Sequence, residues 1–327
     1  MAPTLLAQRD GPSLAGRHLL EITDFEPREL ERLLHLSAYL KVQGRGAQRT
    51  LLRDRTLAML FEKPSLRTRV SFEVAMTQLG GGVLFAQGGE FMVGTRETPE
   101  DAARVLSRYV DAIVIRTHAH EPLQRFAAAS GVPVVNALSA RAHPCQALSD
   151  MLTLQERFGS IAGLRIAYLG DARNNVASSL AEAALSLGAS VSFGCPSTHR
   201  PSESYLAKLG AIGERSGASI AVTSSAQKAA SEADVLYTDV WTSMGEERYR
   251  ERNDAMLRPY AVTEELFAHA NPRAVFMHCL PAHRGEETVA AVIDGPRSIV
   301  FDQAENRMHA QKALLVALLT EMKGLPV

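Results

Sequence analysis

Short apolar runs alternate with longer amphipathic stretches along this chain. Thr56-Leu57-Ala58-Met59-Leu60-Phe61 is a continuous apolar run of strand length. Pro64 then suits the first turn of a helix, where a missing N–H costs nothing. Val70, Phe72, Val74, Ala75, Met76 and Leu79 carry that helix to a stop at Gly80-Gly81. Upstream, Thr23 and Glu26 have the spacing of a capping box, ahead of an apolar face formed by Leu30, Leu33, Leu34 and Ala38. Further strands are expected over 83–86, 111–116 and 132–137, with helices starting at Thr98-Pro99 and covering 122–130. The three glycines within 87–94 mark a loop.

The second half repeats the alternation. Strands are expected over 164–170, 190–194, 220–223, 235–239, 274–280 and 298–301, with helices over 175–187 and 306–322. Strand and helix in alternation argue an α/β fold of mostly parallel sheets flanked by helices. The long helical stretch 145–158 is the natural bridge between two such domains, 1–140 and 141–305. The last helix, 306–327, would pack back on the first domain.

Composition narrows the class. The chain has 327 residues with 46% hydrophobic and 22% charged positions, which is globular and long enough for two domains. A formal net charge of -1 supplies no field that would favour nucleic acid or an anionic membrane. No apolar run approaches the roughly 18 residues of a membrane span. The three cysteines, Cys145, Cys195 and Cys279, are widely spaced and lack a secretion signal, so a cytoplasmic setting without disulfides is expected.

Candidate chemistry collects after the strands, where open α/β sheets bind ligands. The stretch Ser65-Leu66-Arg67-Thr68-Arg69 opens a helix with two arginines and two hydroxyls. Helix first turns ordinarily disfavour cations, so basic residues beside free N–H groups point to a phosphate-sized anion. The other strand ends carry Arg116-Thr117-His118, His143-Pro144-Cys145-Gln146, Gly170-Asp171-Ala172-Arg173-Asn174-Asn175, Asp239-Val240-Trp241-Thr242 and His278-Cys279-Leu280-Pro281. Any one alone is also what a surface loop offers. His143 by itself reads equally as a packed histidine, the Asn pair as an N-cap, and Cys279 as a small buried residue. The 170–175 stretch lacks the G-x-G-x-x-G spacing of a dinucleotide site.

Four motifs carry a resemblance over nearly the whole chain. They are the run from Phe61 to Glu73, His143-Pro144-Cys145-Gln146, Asp239-Val240-Trp241-Thr242-Ser243-Met244-Gly245, and the run from His278 to Glu287. Glu305-Asn306-Arg307-Met308-His309 closes the series. These resemble the aspartate/ornithine carbamoyltransferases, and the Ser243 loop and Cys279 turn resemble the ornithine-reading branch. The resemblance implies carbamoyl transfer from carbamoyl phosphate to the δ-amine of L-ornithine, giving L-citrulline and phosphate in arginine metabolism. Ser65, Leu66 through its backbone, Arg67, Thr68, Arg116, His143, Gln146, Cys279, Leu280 and Arg307 would hold carbamoyl phosphate. Asn175, Asp239, Ser243 and Met244 would hold ornithine. Arg116, His143, Asp239 and Cys279 would serve the chemistry.

No cofactor and no metal is implied, since the sequence spacing reveals no ligand cluster. A homotrimer or multiple of trimers is implied, with no nucleic acid and no membrane. Two positions depart from the family pattern. Leu66 replaces a threonine, and Met92 falls where many relatives carry a glutamine that reaches a neighbouring subunit's site. A relative that carbamoylates putrescine or an acylated ornithine, and a binding protein that kept the fold, are the competing expectations.

Overall fold

The computed structural model describes residues 13–44, 46–88, 97–242, 247–322 and 325. Its contacts divide the chain into two compact units, Met1–Leu152 with Asn306–Val327, and Thr153–Glu305. The division falls inside the helix expected to bridge the domains.

The first unit contains α1 (Pro27–Val42), β1 (Thr56–Phe61), α2 (Leu66–Gln78), β2 (Gly82–Gln87), α3 (Pro99–Leu106), β3 (Ala112–Arg116), α4 (Glu121–Ala129), β4 (Val134–Leu138) and the start of α5 (Pro144–Phe158). Its sheet is parallel with order β2-β1-β3-β4. Both faces of β1 and β3 are covered, so their sequences are almost wholly apolar and buried. Ala58, Leu60, Ile113, Ile115, Leu123 and Phe126 share one core. β2 is an edge strand with exposed positions. Gly80 closes the α2–β2 turn at φ +93°, and a Cβ there would lie 1.9 Å from Arg49 O. Only glycine fits.

The second unit contains β5 (Arg165–Leu169), α6 (Asn175–Ser186), β6 (Ser190–Gly194), α7 (Glu203–Ser216), β7 (Ile220–Thr223), α8 (Ala226–Ala230), β8 (Val235–Thr238), α9 (Arg250–Leu257), α10 (Glu264–Phe267), β9 (Val275–His278), α11 (Ala290–Ile293) and the start of α12 (Val300–Leu319). Its parallel sheet has order β7-β6-β5-β8-β9. In each sheet the strand order reverses once, between β1 and β3 and between β5 and β8. Ligand crevices in open α/β sheets form at such reversals, outside the carboxyl ends of the strands.

Several local expectations are corrected. The capping box at Thr23 and Glu26 does not form. A short 3₁₀ turn spans Ile22–Asp24 with Glu21 and Asp24 capping each other, and α1 starts only at Pro27 with Glu26 and Glu29 as its reciprocal pair. Pro27 disfavours helical geometry at the residue before it, so the helix cannot start earlier. Pro64 precedes α2 rather than entering it, because Ser65 is the N-cap. The strand expected over 298–301 reduces to one bridge, Phe276 with Ser298, and α12 begins at Val300 rather than 306. A short apolar run does not distinguish a strand from a buried helix start. Most of the 87–94 loop, with Met92, lies outside the described residues.

Candidate active site

In the first unit, the turn from β1 into α2 is set by side chains. Ser65 Oγ accepts from Thr68 N at 3.4 Å and donates to Thr68 Oγ1 at 3.0 Å. This is an N-cap bond, and it leaves the first N–H groups of α2 without helical acceptors. Glu62 binds this turn to the end of β3. Its N–H donates to Arg116 O at 2.8 Å, and its carboxylate accepts from the Thr117 hydroxyl and from His118 N. Leu66 and Arg67 face outward from the first turn, whereas Thr68 is fully buried.

Arg307, on α12 and 4% exposed, gathers the expected anion ligands from distant parts of the chain. Its Nη2 donates to Thr68 Oγ1 at 2.8 Å, and its Nη1 donates to Gln146 Oε1 at 3.0 Å and stands 3.5 Å from His143 Nε2. Gln146 Nε2 in turn donates to Asp150 Oδ1 at 2.8 Å. Guanidinium nitrogens only donate, so Nε2 is the unprotonated nitrogen of His143 in this arrangement. Burial, then the charges of Arg307 and Arg116, hold the His143 imidazole well below its ordinary titration range. The ring is therefore neutral at neutral pH. Burial pushes the neighbouring Cys145 thiol up to about 12, which leaves it inert.

In the second unit, Asp239 and Cys279 follow the ends of adjacent strands β8 and β9. Cys279 Sγ donates to Asp239 Oδ1 at 3.0 Å, and Val240 N donates to the same oxygen at 2.8 Å. Leu280 has φ +58° and precedes a cis proline. Leu280 N donates to His278 Nδ1 at 2.9 Å, so the His278 proton sits on Nε2, 3.3 Å from Glu287 Oε1. Burial pushes the Glu287 carboxyl up, but hydrogen bonds from His278 and the His283 N–H bring it below the usual range.

The Asn pair divides its work. Asn174 caps α6 by accepting from Ala177 N at 2.7 Å and donates to Tyr168 OH at 2.6 Å. Asn175 is the first residue of α6. Tyr168 stacks on Tyr237 with centroids 5.7 Å apart. Burial and then the charge of Asp239 push the Tyr168 phenol well above its ordinary value, so it stays neutral. Gly170, at φ +127°, lets β5 turn beneath Thr238 and Trp241, and Thr238 Oγ1 ties β8 to β5 through Leu169 O at 2.7 Å.

The fold does assemble groups that sequence spacing hides. The ligating atoms of Asp239, His278 and Cys279 lie within 4.8 Å of one another, as do those of His283, Glu286 and Glu287. Their protein partners already account for most of these atoms. His278 uses Nδ1 for Leu280 N and turns Nε2 to Glu287, while Glu286 is bound by Arg250.

Two half-sites therefore stand at the carboxyl ends of the two sheets, one rich in anion-binding donors and one bearing a thiol–carboxylate pair after β8 and β9. The description "Aspartate/ornithine carbamoyltransferase, carbamoyl-P binding domain" matches residues 17–156, and the companion "Asp/Orn binding domain" matches 162–318. The chain belongs to the aspartate/ornithine carbamoyltransferase family.

Among relatives of this family member, the ornithine carbamoyltransferase of Anoxybacillus flavithermus is 48% identical over 94% of this chain and 98% of its own. The enzyme of Pyrococcus furiosus named "Ornithine carbamoyltransferase, anabolic" is 46% identical over 95% of this chain and 99% of its own. A solved ornithine carbamoyltransferase from P. furiosus superposes with a TM-score of 0.91 at 46% identity, covering 94% of this chain and 99% of that one. The structure of the Thermus thermophilus enzyme gives 0.82 at 43% identity, covering 93% and 99%.

Of the residues expected from the sequence, Ser65, Thr68, His143, Gln146 and Arg307 share one connected network, and Arg116 acts on it by charge. Leu66 and Arg67 stand outside that network on the exposed turn. Asp239 and Cys279 meet, with Leu280 beside them. Ser243 and Met244 lie outside the described residues. Sequence reasoning assigned no role to Glu62, Tyr168, His278, Glu287 or Gln303. Glu62 and Glu287 fall inside quoted motifs, so only their partners were hidden. Tyr168 and Gln303 carry no local signal.

Proposed function

We propose that this chain transfers the carbamoyl group of carbamoyl phosphate to the δ-amine of L-ornithine, giving L-citrulline and phosphate. The network centred on Arg307 carries the donor half of this reading. It gathers Thr68, Gln146 and His143 around a buried cation, beside the N-terminus of α2. Ser65, Arg67, Thr68 and the N–H groups at Leu66 would hold the phosphate, where helix end and guanidinium both favour an anion. Arg116, His143, Gln146 and Arg307 would hold the carbamoyl end. Cys279 and Leu280 are assigned to the same ligand from the acceptor side.

The chemistry is direct attack of the neutral amine on the carbonyl carbon. Negative charge grows on the carbonyl oxygen, and Arg116 with neutral His143 would stabilise it as preorganised donors. Arg67 would offset charge on the departing phosphate. Asp239 and Cys279 would orient the attacking amine, and Asn175, Ser243 and Met244 would bind the amino-acid end. No covalent intermediate is required. Holding two substrates in register supplies much of the rate.

The names of the relatives given above support ornithine as acceptor, and the word anabolic in one of them supports a biosynthetic place in arginine metabolism. A homotrimer is part of the reading. Leu66, Val70 and Leu84 are large exposed apolar residues on α2 and the edge strand β2, and Val70 also lines a groove of about 540 Å³ with Arg49, Glu73, Val74, Thr77 and Gln78. A cytoplasmic setting is supported by Cys145, Cys195 and Cys279, each a thiol outside any disulfide. No helix among the described residues is long and apolar enough to cross a membrane.

The test is product formation from carbamoyl phosphate with L-ornithine, beside aspartate, putrescine and N-acetylornithine. Turnover with ornithine alone is expected. Preference for another amine would overturn the acceptor assignment, and no turnover with any of them would overturn the enzyme assignment.

A further inference from the structure

β9 is the edge strand of the second sheet, and edge strands leave alternate backbone groups without a neighbour. On the inner side, Val275 N donates to Asp234 O of the adjoining chain at 3.0 Å. Phe276 and His278 point their N–H groups the other way. The chain that follows supplies what a missing strand would have supplied. Phe276 N donates to Arg297 O at 2.9 Å, and Ile299 N returns a bond to Phe276 O at 3.0 Å. At His278 the acceptor is a side chain instead, since Gln303 Oε1 takes His278 N at 3.0 Å. The other end of that amide, Nε2, donates to Tyr237 OH at 3.1 Å. Gln303, His278 and Tyr237 are all fully buried.

One amide thus bridges the ends of two adjacent strands. His278 immediately precedes Cys279, and Tyr237 lies two residues before Asp239. Tyr237 and Thr238 pair in register with Met277 and His278. The spacing between Cys279 Sγ and Asp239 Oδ1 is therefore set by strand ends that Gln303 clamps from outside the sheet. An amide suits both bonds, because it accepts and donates at once.

We infer that Gln303 is a positioning residue of the acceptor half-site, fixing the Cys279–Asp239 pair through the ends of β9 and β8. The inference rests on the proposed acceptor role of that pair. Without the amide, His278 N is a buried donor with no strand beside it, and the turn bearing Cys279 loses its tether.

The experiment compares wild type with Gln303→Leu, which removes both bonds, Gln303→Glu, which keeps an oxygen for His278 N, and Tyr237→Phe, which removes only the outer bond. Gln303→Asn, with shorter reach, replaces the Leu variant if that protein does not accumulate folded. KM for ornithine and for carbamoyl phosphate are measured separately. The rate of Cys279 alkylation on the intact protein is followed by mass spectrometry, with Cys145 and Cys195 as buried internal controls.

Gln303→Leu is expected to raise the ornithine KM about tenfold, the cost of one unmet buried donor, with carbamoyl phosphate KM unchanged. Cys279 should be alkylated faster as it leaves Asp239. Tyr237→Phe, which frees the β8 end alone, and Gln303→Glu, which keeps an acceptor for His278 N, should each shift both readouts in the same direction but less than Gln303→Leu. Wild-type ornithine KM together with a wild-type alkylation rate in Gln303→Leu would overturn the inference. If wild-type protein fails to use ornithine, the acceptor reading falls by itself. The alkylation rate then still decides whether Gln303 positions Cys279.

Discussion

Replacing Arg307 by methionine isolates the residue on which the donor half-site converges. The substitution keeps a long, unbranched side chain but removes the guanidinium from Thr68 Oγ1, Gln146 Oε1 and His143 Nε2, at 2.8, 3.0 and 3.5 Å. Arg307 is only 4% exposed, so its charge is held at a desolvation cost. Its removal also takes a donor away from the buried Thr68, Gln146 and His143 acceptors, so some stability is lost as well. Its loss should also register in binding of an anionic ligand. One hydrogen bond to a charged group contributes about 1.5–3 kcal/mol, which corresponds to roughly ten- to a hundredfold in affinity.

The expected result is a rise of that size in KM for carbamoyl phosphate, measured by citrulline formation at saturating ornithine on protein shown to be folded by its unfolding transition. Arg307→Lys should recover only part of it, because an ammonium does not reproduce the two-pronged fork. Removing Arg307 also deletes one of the two charges that depress His143, so the acid limb of the pH–rate profile should move to higher pH. A carbamoyl phosphate KM within about twofold of wild type in Arg307→Met would refute the reasoning, since that change is only about 0.4 kcal/mol.

His143 titrates in the unfolded chain near its ordinary value of 6.5 but well below it when folded. Below about pH 6.5 the unfolded state therefore binds more protons, and stability falls as pH falls through that window. Denaturant midpoints at neutral and mildly acidic pH should fall less in His143→Gln than in wild type, and equal slopes would count against the buried neutral ring. Both polar atoms of the Gln311 side chain are buried without a partner among the described residues. Gln311→Met should accordingly raise stability by about 1–2 kcal/mol, and a lower melting temperature would show that the amide has an overlooked acceptor. Gly80→Ala should cost about 2 kcal/mol or more, because a Cβ would meet Arg49 O at a backbone angle that L residues avoid. A wild-type thermal midpoint in that variant would contradict the tight turn.

What the sequence by itself determined was local. The alternation of apolar runs with amphipathic stretches specifies strand and helix, because periodicity is a property of a few neighbouring residues. The turn after β1 was legible for the same reason, since cap, helix start and basic first turn are contiguous. Even there, local rules misplaced boundaries where two of them competed, as at Thr23 against Pro27. An apolar run as short as that near Ser298 did not separate a strand from a helix.

The tertiary structure decided which distant groups meet. Arg307 reaches Thr68 across 239 residues and Gln146 across 161, and Cys279 reaches Asp239 across 40. No periodicity encodes such pairings. Cys279 meets Asp239 because β8 and β9 are parallel neighbours that end at the same edge of their sheet, and Arg307 meets Thr68 and Gln146 because α12 returns the chain to the first unit. Gln303 is the clearest case. Along the chain it is an ordinary polar residue at a helix start. It acquires a task only because β9 ends up at the edge of its sheet, with a buried N–H that some other group has to accept.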